Sequence, residues 1–295
     1  MSPVEVPTSF RASPRWWHDA DGAAWLDALP SLVEAAARRW DLEIDGRPSH
    51  GSNALVVPVR RAGEPFALRL TPPGDGVAAE VAALRFWAGR GTVQLEDADV
   101  DAGVTLLERL DATRSLASLP LDDAVRHLAR LMRRLAVPAP ASARSTGDVV
   151  RDRLPELTAD WERLGQPFER RALDAARDAG AGLTTPAADV AVDGDLHHEQ
   201  VLAGTREPWL AVDPVLLRGD VEYDLARILW TRLDEMADDD VPRHVRTVVE
   251  VADLEPERAH AWVLFRTVDY WLWGLAHGLT EDPVRCARIV TLLAG

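Results

Sequence analysis

The chain of 295 residues contains no lysine: all 33 of its basic side chains are arginine. That absence excludes Schiff-base chemistry, a lysine nucleophile and a Walker-type phosphate-binding lysine. Arginine cannot accept a proton, but it holds phosphate through two parallel hydrogen bonds. Cysteine is nearly absent as well. The single thiol, Cys286, rules out an intramolecular disulfide and any cysteine-based zinc cluster, and its DPVRCARIVTLL setting reads as a helix face with the thiol buried. No run approaches the roughly 18 consecutive apolar residues of a membrane span. The first residues lack the basic-then-apolar order of a secretion signal, so the cytoplasm is the expected compartment. No HExxH spacing occurs and the histidines are scattered, which argues against zinc. No internal repeat or low-complexity tract is visible.

What is present points to a soluble globular chain. Apolar residues make up 47% and charged residues 27%, enough to build one large domain or two lobes. The net charge of −15 argues against nucleic acid and anionic membranes as partners, because a polyanion needs a basic field. The same charge draws in cationic small molecules, and a monomer is expected.

In chain order, residues 1–20 are turn-rich, and Trp16 and Trp17 read as packing across a neighbouring surface. Helical spacing of Trp25, Leu29, Leu32, Val33 and Ala36 predicts a helix over 22–40, with Pro30 predicting a kink or two short helices. The polar turn Gly51-Ser52-Asn53 leads into strands 54–59 and 65–70, joined by a turn as a hairpin. A break at 71–76 precedes a helix over 77–88 that carries Glu80 in its first turn. Strands are predicted at 92–95 and 103–107 with an acidic turn, 96–101, between them. Helices follow at 121–136, 148–164 and 167–179. Short strands at 190–192, 200–203 and 209–212 interrupt the helical text, which resumes at 223–234, 256–277 and 283–293. The order predicts an α+β chain: an N-terminal lobe over 1–108 and a larger, mainly helical lobe over 109–295.

The chemistry concentrates between Val192 and Leu225. Asp195 is followed by Gln200 and Asp213, with a strand, turn and strand between. If those strands pair, Gln200 and Asp213 meet beside the loop bearing Asp195. Two oxygen ligands on strand ends can hold a magnesium ion that keeps its other positions for water and nucleotide phosphates. A third carboxylate can take the proton of an attacking hydroxyl, the division of labour that phosphoryl transfer needs. His197 reads as a hydrogen-bonding loop residue, His198 as a supporting group, and Asp224 as a bonder of backbone amides in the same loop.

Gly194-Asp195-Leu196-His197, Gln200, Val212-Asp213-Pro214 and the GDVEYDLA run over 219–226 resemble the aminoglycoside phosphotransferase family. That resemblance implies a two-lobed, protein-kinase-like fold that uses ATP and Mg2+. It implies Asp195 as the catalytic base and Gln200 and Asp213 as metal ligands. It also implies a nucleotide-binding set of Ser52, Asn53, Arg69, Glu80, Glu108 and Leu110, with backbone near 108–110 meeting adenine. Three departures stand out: Arg69 where the family usually has lysine, Gln200 where it usually has asparagine, and Asp193 where it often has histidine. They keep a second reading open, a nucleotide-binding regulator without turnover. The retained Asp195 and Asp213 weigh against it.

The helix over 256–277 carries two stripes. Leu264, Val268, Leu272 and Leu275 suit a core, while Arg266, Asp269, Trp273 and His277 recur on another face. Aromatic faces stack on sugars and a partly dry carboxylate holds an ammonium group. Asp195, His197, Arg266, Asp269 and Trp273 are therefore the candidate acceptor residues. This segment is also similar to actinobacterial sugar kinases related to maltokinases, among them glucosamine kinases. The implied reaction is transfer of the ATP γ-phosphate to the 6-hydroxyl of D-glucosamine, an amino sugar. A streptomycin- or hydroxyurea-type antibiotic kinase is the enzymatic alternative.

Overall fold

The structure is a computed structural model that describes residues 4–12, 20–72 and 76–293; Trp16 and Trp17 lie outside them. The chain divides into two compact units, Met1–Asp111 with Gly204–Leu210, and Ala112–Ala203 with Ala211–Gly295. The predicted division at 108/109 has no counterpart to the short return of the chain over Gly204–Leu210.

The first unit opens with α1 (Thr8–Arg11) and α2 (Ala20–Trp40), followed by strands β1 (Glu43–Ile44), β2 (Ser49–His50), β3 (Leu55–Arg61) and β4 (Glu64–Leu70). Then come α3 (Val77–Trp87), β5 (Leu95–Asp99) and β6 (Val104–Glu108). The strands form one sheet in the order β1-β3-β4-β6-β5, with β2 beside β3. The β3–β4 hairpin pairs Leu55 with Leu70 through to Arg61 with Glu64. Its two turn residues, Ala62 and Gly63, both have positive φ (51° and 86°), the geometry whose twist matches that of the flanking strands. Alternate residues of β3 point inward, so Leu55, Val57 and Val59 are fully buried. They join Phe10, Leu29, Leu68 and Leu106 in one apolar core.

Two details of the expectation change here. Of the two alternatives for 22–40 the pair of short helices does not occur, since the 21-residue α2 runs through Pro30 as one helix. The acidic stretch taken for a turn forms β5, antiparallel to β6 at the edge of the sheet. Its charges are used rather than merely solvated: Glu96 pairs with Arg61 and Asp99 with Arg39, and a charged edge strand resists pairing with other chains.

The second unit takes up β7 (Asp111–Ser115) at its start and is then mainly helical: α4 (Leu121–Leu135), β8 (Arg144–Ser145), α5 (Thr146–Arg153), α6 (Glu156–Arg163) and α7 (Arg170–Leu183). The strands β9 (Val190–Asp193), β10 (Val201–Ala203) and β12 (Leu216–Gly219) follow, and β11 (Trp209–Ala211), whose first two residues belong to the first unit, lies between β10 and β12 in the chain. Helices α8 (Leu225–Thr231), α9 (Asp240–Ala252), α10 (Pro256–Ala276) and α11 (Glu281–Leu293) close the chain. Pro155 splits the predicted helix over 148–164 into α5 and α6, since it offers no N–H and crowds the preceding turn. Strand β12 and helix α9 were not predicted. β12 lies antiparallel to β9 and parallel to β8. α10 packs on α7 and α11 while α9 packs on α4, and Trp262, Phe265, Val268 and Leu272 anchor the core. Cys286 is buried on α11. Among the described residues no helix is long and apolar enough to cross a membrane.

Candidate active site

The loop after β9 is wired in place from two sides by buried carboxylates. Gly194 N donates to Val215 O at 2.8 Å. Asp193, 1% exposed, accepts from the amides of Asp195 (3.3 Å) and Val215 (3.2 Å) through Oδ1. Its Oδ2 is buried without a hydrogen-bond partner. Burial pushes this carboxyl up to about 7, against the lowering pull of the two amides and with a further push from Asp195 and Asp213. From the other side Asp224 accepts the Leu196 amide, and burial, then the charge of Asp193, raises its carboxyl well above the ordinary range. The GDVEYDLA run thus serves the loop structurally. Its first acid, Asp220, accepts from Ala187 N, Arg258 and Trp262 Nε1.

Held this way, Asp195 keeps a partly exposed side chain, and Arg227 Nε donates to its Oδ1 at 2.8 Å. His197 is half-buried and its Nδ1 accepts from Glu199 N at 3.3 Å. Burial, helped by the Arg227 charge, drives the His197 imidazole down to about 3, so it stays neutral and acts as a hydrogen-bonding group. His198 is fully buried, with Nε2 3.2 Å from Ile228 O.

Gln200 and Asp213 do come together. Val212 N donates to Gln200 O at 2.8 Å, and Gln200 Nε2 donates to Asp213 O at 2.9 Å. Asp213 adopts φ 53°, a left-handed conformation that Asp tolerates better than most side chains, and this turns its carbonyl toward Gln200. The other end of the Gln200 amide, Oε1, is buried with no hydrogen-bond partner. An orphaned amide oxygen next to a carboxylate-bearing residue fits a hard cation such as Mg2+, which takes few protein ligands and keeps others for water and phosphate. Among the described residues no group of three or more His, Cys, Asp or Glu side chains converges on one point.

The acceptor candidates on α10 meet different fates. Arg266 lies over the Tyr223 ring, 3.9 Å from its centroid, and its Nη1 donates to Tyr223 O at 2.9 Å. Asp269 does not pair with it. Arg153 Nε donates to Asp269 Oδ1 at 2.8 Å, and the same guanidinium reaches Asp160 at 2.9 Å and Glu156. Burial raises the Asp269 carboxyl and Arg153 opposes that rise. Trp273 is 45% exposed and belongs to a ladder absent from the sequence reading. Trp230 and Tyr270 stack at 4.6 Å, Tyr270 and Trp273 at 5.5 Å, and Trp273 and His277 at 4.2 Å. The Arg227 guanidinium is 5.9 Å from the Trp230 ring centroid. Side chains therefore run without interruption from Asp195 through Arg227 and the rings to the exposed Trp273.

In the first unit Arg69, 5% exposed on β4, pairs with Glu80 of α3 at 2.5 Å and donates to Thr71 Oγ1 at 2.7 Å. Ser52 is exposed and Asn53 half-buried in the turn before β3. At the end of β6, Glu108 N donates to Gln94 O at 2.9 Å, and the Glu108 carboxylate accepts from Arg206 at 2.9 Å. Arg206 also donates to Gly89 O (2.7 Å) and Thr92 O (2.9 Å), clamping the segment that leads to the half-buried Leu110. That role of Arg206 had no sequence signal.

Phosphoryl transfer asks a protein for a proton acceptor, oxygens for a metal, and cations for phosphate. Asp195, Gln200 and Asp213 of the second unit are candidates for the first two, and Arg69 of the first unit is by itself a candidate for the third. Comparison with known proteins agrees and supplies the class. The family described as aminoglycoside/hydroxyurea antibiotic resistance kinase matches residues 39–278. A streptomycin 6-kinase of Streptomyces glaucescens is 40% identical over 95% of this chain and 94% of its own. A hydroxyurea phosphotransferase of Kitasatospora aureofaciens is 38% identical over 99% of this chain and 86% of its own. In fold, the chain resembles a thermostable mutant of the aminoglycoside phosphotransferase APH(4)-Ia, solved with ADP and hygromycin B. The TM-score is 0.64 at 18% identity, covering 90% of this chain and 99% of that one.

The chain belongs to the aminoglycoside/hydroxyurea antibiotic resistance kinase family. It is a nucleotide-binding phosphotransferase that uses an alcohol group as acceptor, and the regulator without turnover is set aside. The expected D-glucosamine acceptor, and with it the kinship to glucosamine kinases and maltokinases, is overturned by relatives named for streptomycin and hydroxyurea.

Proposed function

We propose that this protein transfers the γ-phosphoryl group of ATP to a hydroxyl of a cationic antibiotic of the streptomycin class. Its main support is the presentation of Asp195: a partly exposed carboxylate on a loop held by Asp193 and Asp224, with Gln200 and Asp213 brought together on the following turn. Asp195 takes the proton of the acceptor hydroxyl as that oxygen bonds to the γ-phosphorus, and ADP leaves with the electron pair of the broken P–O bond. Gln200 Oε1 and the Asp213 carboxylate would hold Mg2+, which when bound neutralises charge on phosphate oxygens. Arg69, fixed by Glu80, steadies phosphate. The backbone near Glu108 and Leu110, clamped by Arg206, meets adenine, and the turn at Ser52 and Asn53 contributes to nucleotide binding.

For the acceptor, support comes from the streptomycin-kinase relatives, from the −15 charge and from the aromatic ladder that includes the exposed Trp273. Guanidinium and ammonium groups are attracted to such ring faces. Hydroxyurea is a second reading, favoured by the relative matched over 99% of this chain.

A coupled ADP-release assay with streptomycin, kanamycin, hydroxyurea and glucosamine, combined with mass spectrometry of the product, tests this. Streptomycin is expected to support turnover and gain one phosphate, and glucosamine to do neither. Asp195→Asn is expected to lower kcat by about 10²–10⁴-fold, the usual range for a general base. Near-parental turnover in that variant would remove Asp195 from the chemistry, and turnover with hydroxyurea alone would replace the acceptor.

A further inference from the structure

We infer that Arg227 is a positioning residue that selects which oxygen of Asp195 receives the acceptor's proton. This inference rests on Asp195 being the base.

The contact is a single one. Arg227 Nε donates to Asp195 Oδ1 at 2.8 Å, and among the described residues the two terminal nitrogens of Arg227 make no hydrogen bond to protein. Asp195 Oδ2 likewise accepts none among the described residues. Arginine–carboxylate pairs are frequently two-pronged, which satisfies both oxygens. One-point attachment through Nε instead fixes Oδ1 and leaves Oδ2 directed to whatever binds beside it.

Both partners are anchored independently of each other. Asp195 is held by its amide on Asp193. Arg227 sits in the first turn of α8, three residues after Asp224, which accepts the Leu196 amide of the same loop. The guanidinium lies against the Trp230 ring at 5.9 Å, and Trp230 is stacked in turn on Tyr270. The rotation of the Asp195 carboxyl is thereby tied to the ladder that includes the exposed Trp273. An acceptor lodged along those rings meets a base whose lone pair is already oriented.

Magnitudes separate this role from a structural one. The side chains of Arg227 and Asp195 are 23% and 42% exposed, and ion pairs so exposed add little to folding stability. Loss of orientation at a reacting centre, by contrast, costs about 10²-fold in rate for a displacement of about 1 Å.

Arg227→Ala is expected to lower kcat by about 10²-fold with little change in the KM for ATP or streptomycin and an unchanged melting temperature. Methylguanidinium in the assay is expected to restore part of the rate, and Arg227→Lys, charged but shorter and without the Nε position, to fall between. The residual ADP release of Asp195→Asn should drop no further when Arg227→Ala is added, because the arginine acts through the aspartate. Multiplied losses in the double variant, parental kcat in Arg227→Ala, or a loss seen only as raised KM would each overturn the inference. If Arg227→Ala does not fold, Arg227→Lys at parental kcat overturns it equally. Full turnover in Asp195→Asn would instead sink the base assignment itself, so the two failures are told apart.

Discussion

At Gln200 the two ends of one amide have opposite environments. Nε2 is satisfied by the Asp213 carbonyl, whereas Oε1 is buried with no hydrogen-bond partner. An unmet buried acceptor costs about 1–3 kcal/mol, a cost removed when a cation takes the oxygen. Gln200→Leu is therefore expected to fold about as well as the parent in metal-free buffer, yet to need at least about tenfold more Mg2+ for half-maximal rate, the lower end of what disturbed metal sites show. A Mg2+ titration at fixed ATP reads this directly, and an unmoved midpoint would take Gln200 out of the metal set. The meeting of Gln200 with Asp213 is legible in the sequence because only a strand, a turn and a strand separate them. Asp193 and Arg227 are not, because their roles depend on Val215, 22 residues away, and on Asp195, 32 residues away. Nothing local marks a strand-end aspartate as the acceptor for two loop amides. The weak signal available was an acid closing the apolar run of β9, where register pairs Asp193 with Leu216 in the sheet.

Among the elements, α9 is the one whose chemistry fits its place least well. It presents Val241, His244, Val248 and Ala252 to the interior, and it packs on α4. His244 is 1% exposed with both ring nitrogens lacking a hydrogen-bond partner; Asp122 Oδ1 is 3.7 Å away and is instead bonded by Arg243 at 2.6 Å. Burial first, and then the Arg243 charge, lower this imidazole below its ordinary 6.5. Above pH 6.5 it is neutral folded and unfolded alike. As pH falls below 6.5 the unfolded chain gains a proton that the folded chain refuses, so stability declines on acidification. His244→Leu is expected to raise unfolding stability by about 1 kcal/mol at pH 8 and by more at pH 5.5, as measured by urea midpoints; an equal gain at both pH values would refute the titration. The same helix shows why some elements escape a sequence reading. Its short VPRHVRTVVEVA stretch mixes a proline, charges and β-branched residues, so its stripe emerges only once α4 is there to cover it. The β3–β4 hairpin was legible because two mainly apolar runs flank a turn with Gly63. The edge strand β5 was not, since its acids look like a turn until Arg39 and Arg61 are seen to meet them.

At the scale of the whole molecule, charge is the property that no single site accounts for. A lysine-free chain with 33 arginines against 48 carboxylates carries −15, and such a surplus concentrates cations around the protein before any specific contact forms. A cationic acceptor gains from that field, a neutral one does not, and the polyanionic nucleotide is opposed by it. Salt separates the three. Raising ionic strength from about 0.01 M to 0.15 M shortens the screening length from about 30 Å to about 8 Å. The kcat/KM for streptomycin is expected to fall several-fold over that range, with kcat little altered, because encounter and loose binding weaken while the oriented chemistry at Asp195 is unaffected. The kcat/KM for hydroxyurea should stay flat, and that for ATP-Mg2+ should hold or rise. A parallel fall for hydroxyurea would mean that salt acts on the catalytic loop itself. A flat response for streptomycin would mean that acceptor capture depends on the rings and carboxylates it touches, and that the acidic surface serves solubility alone.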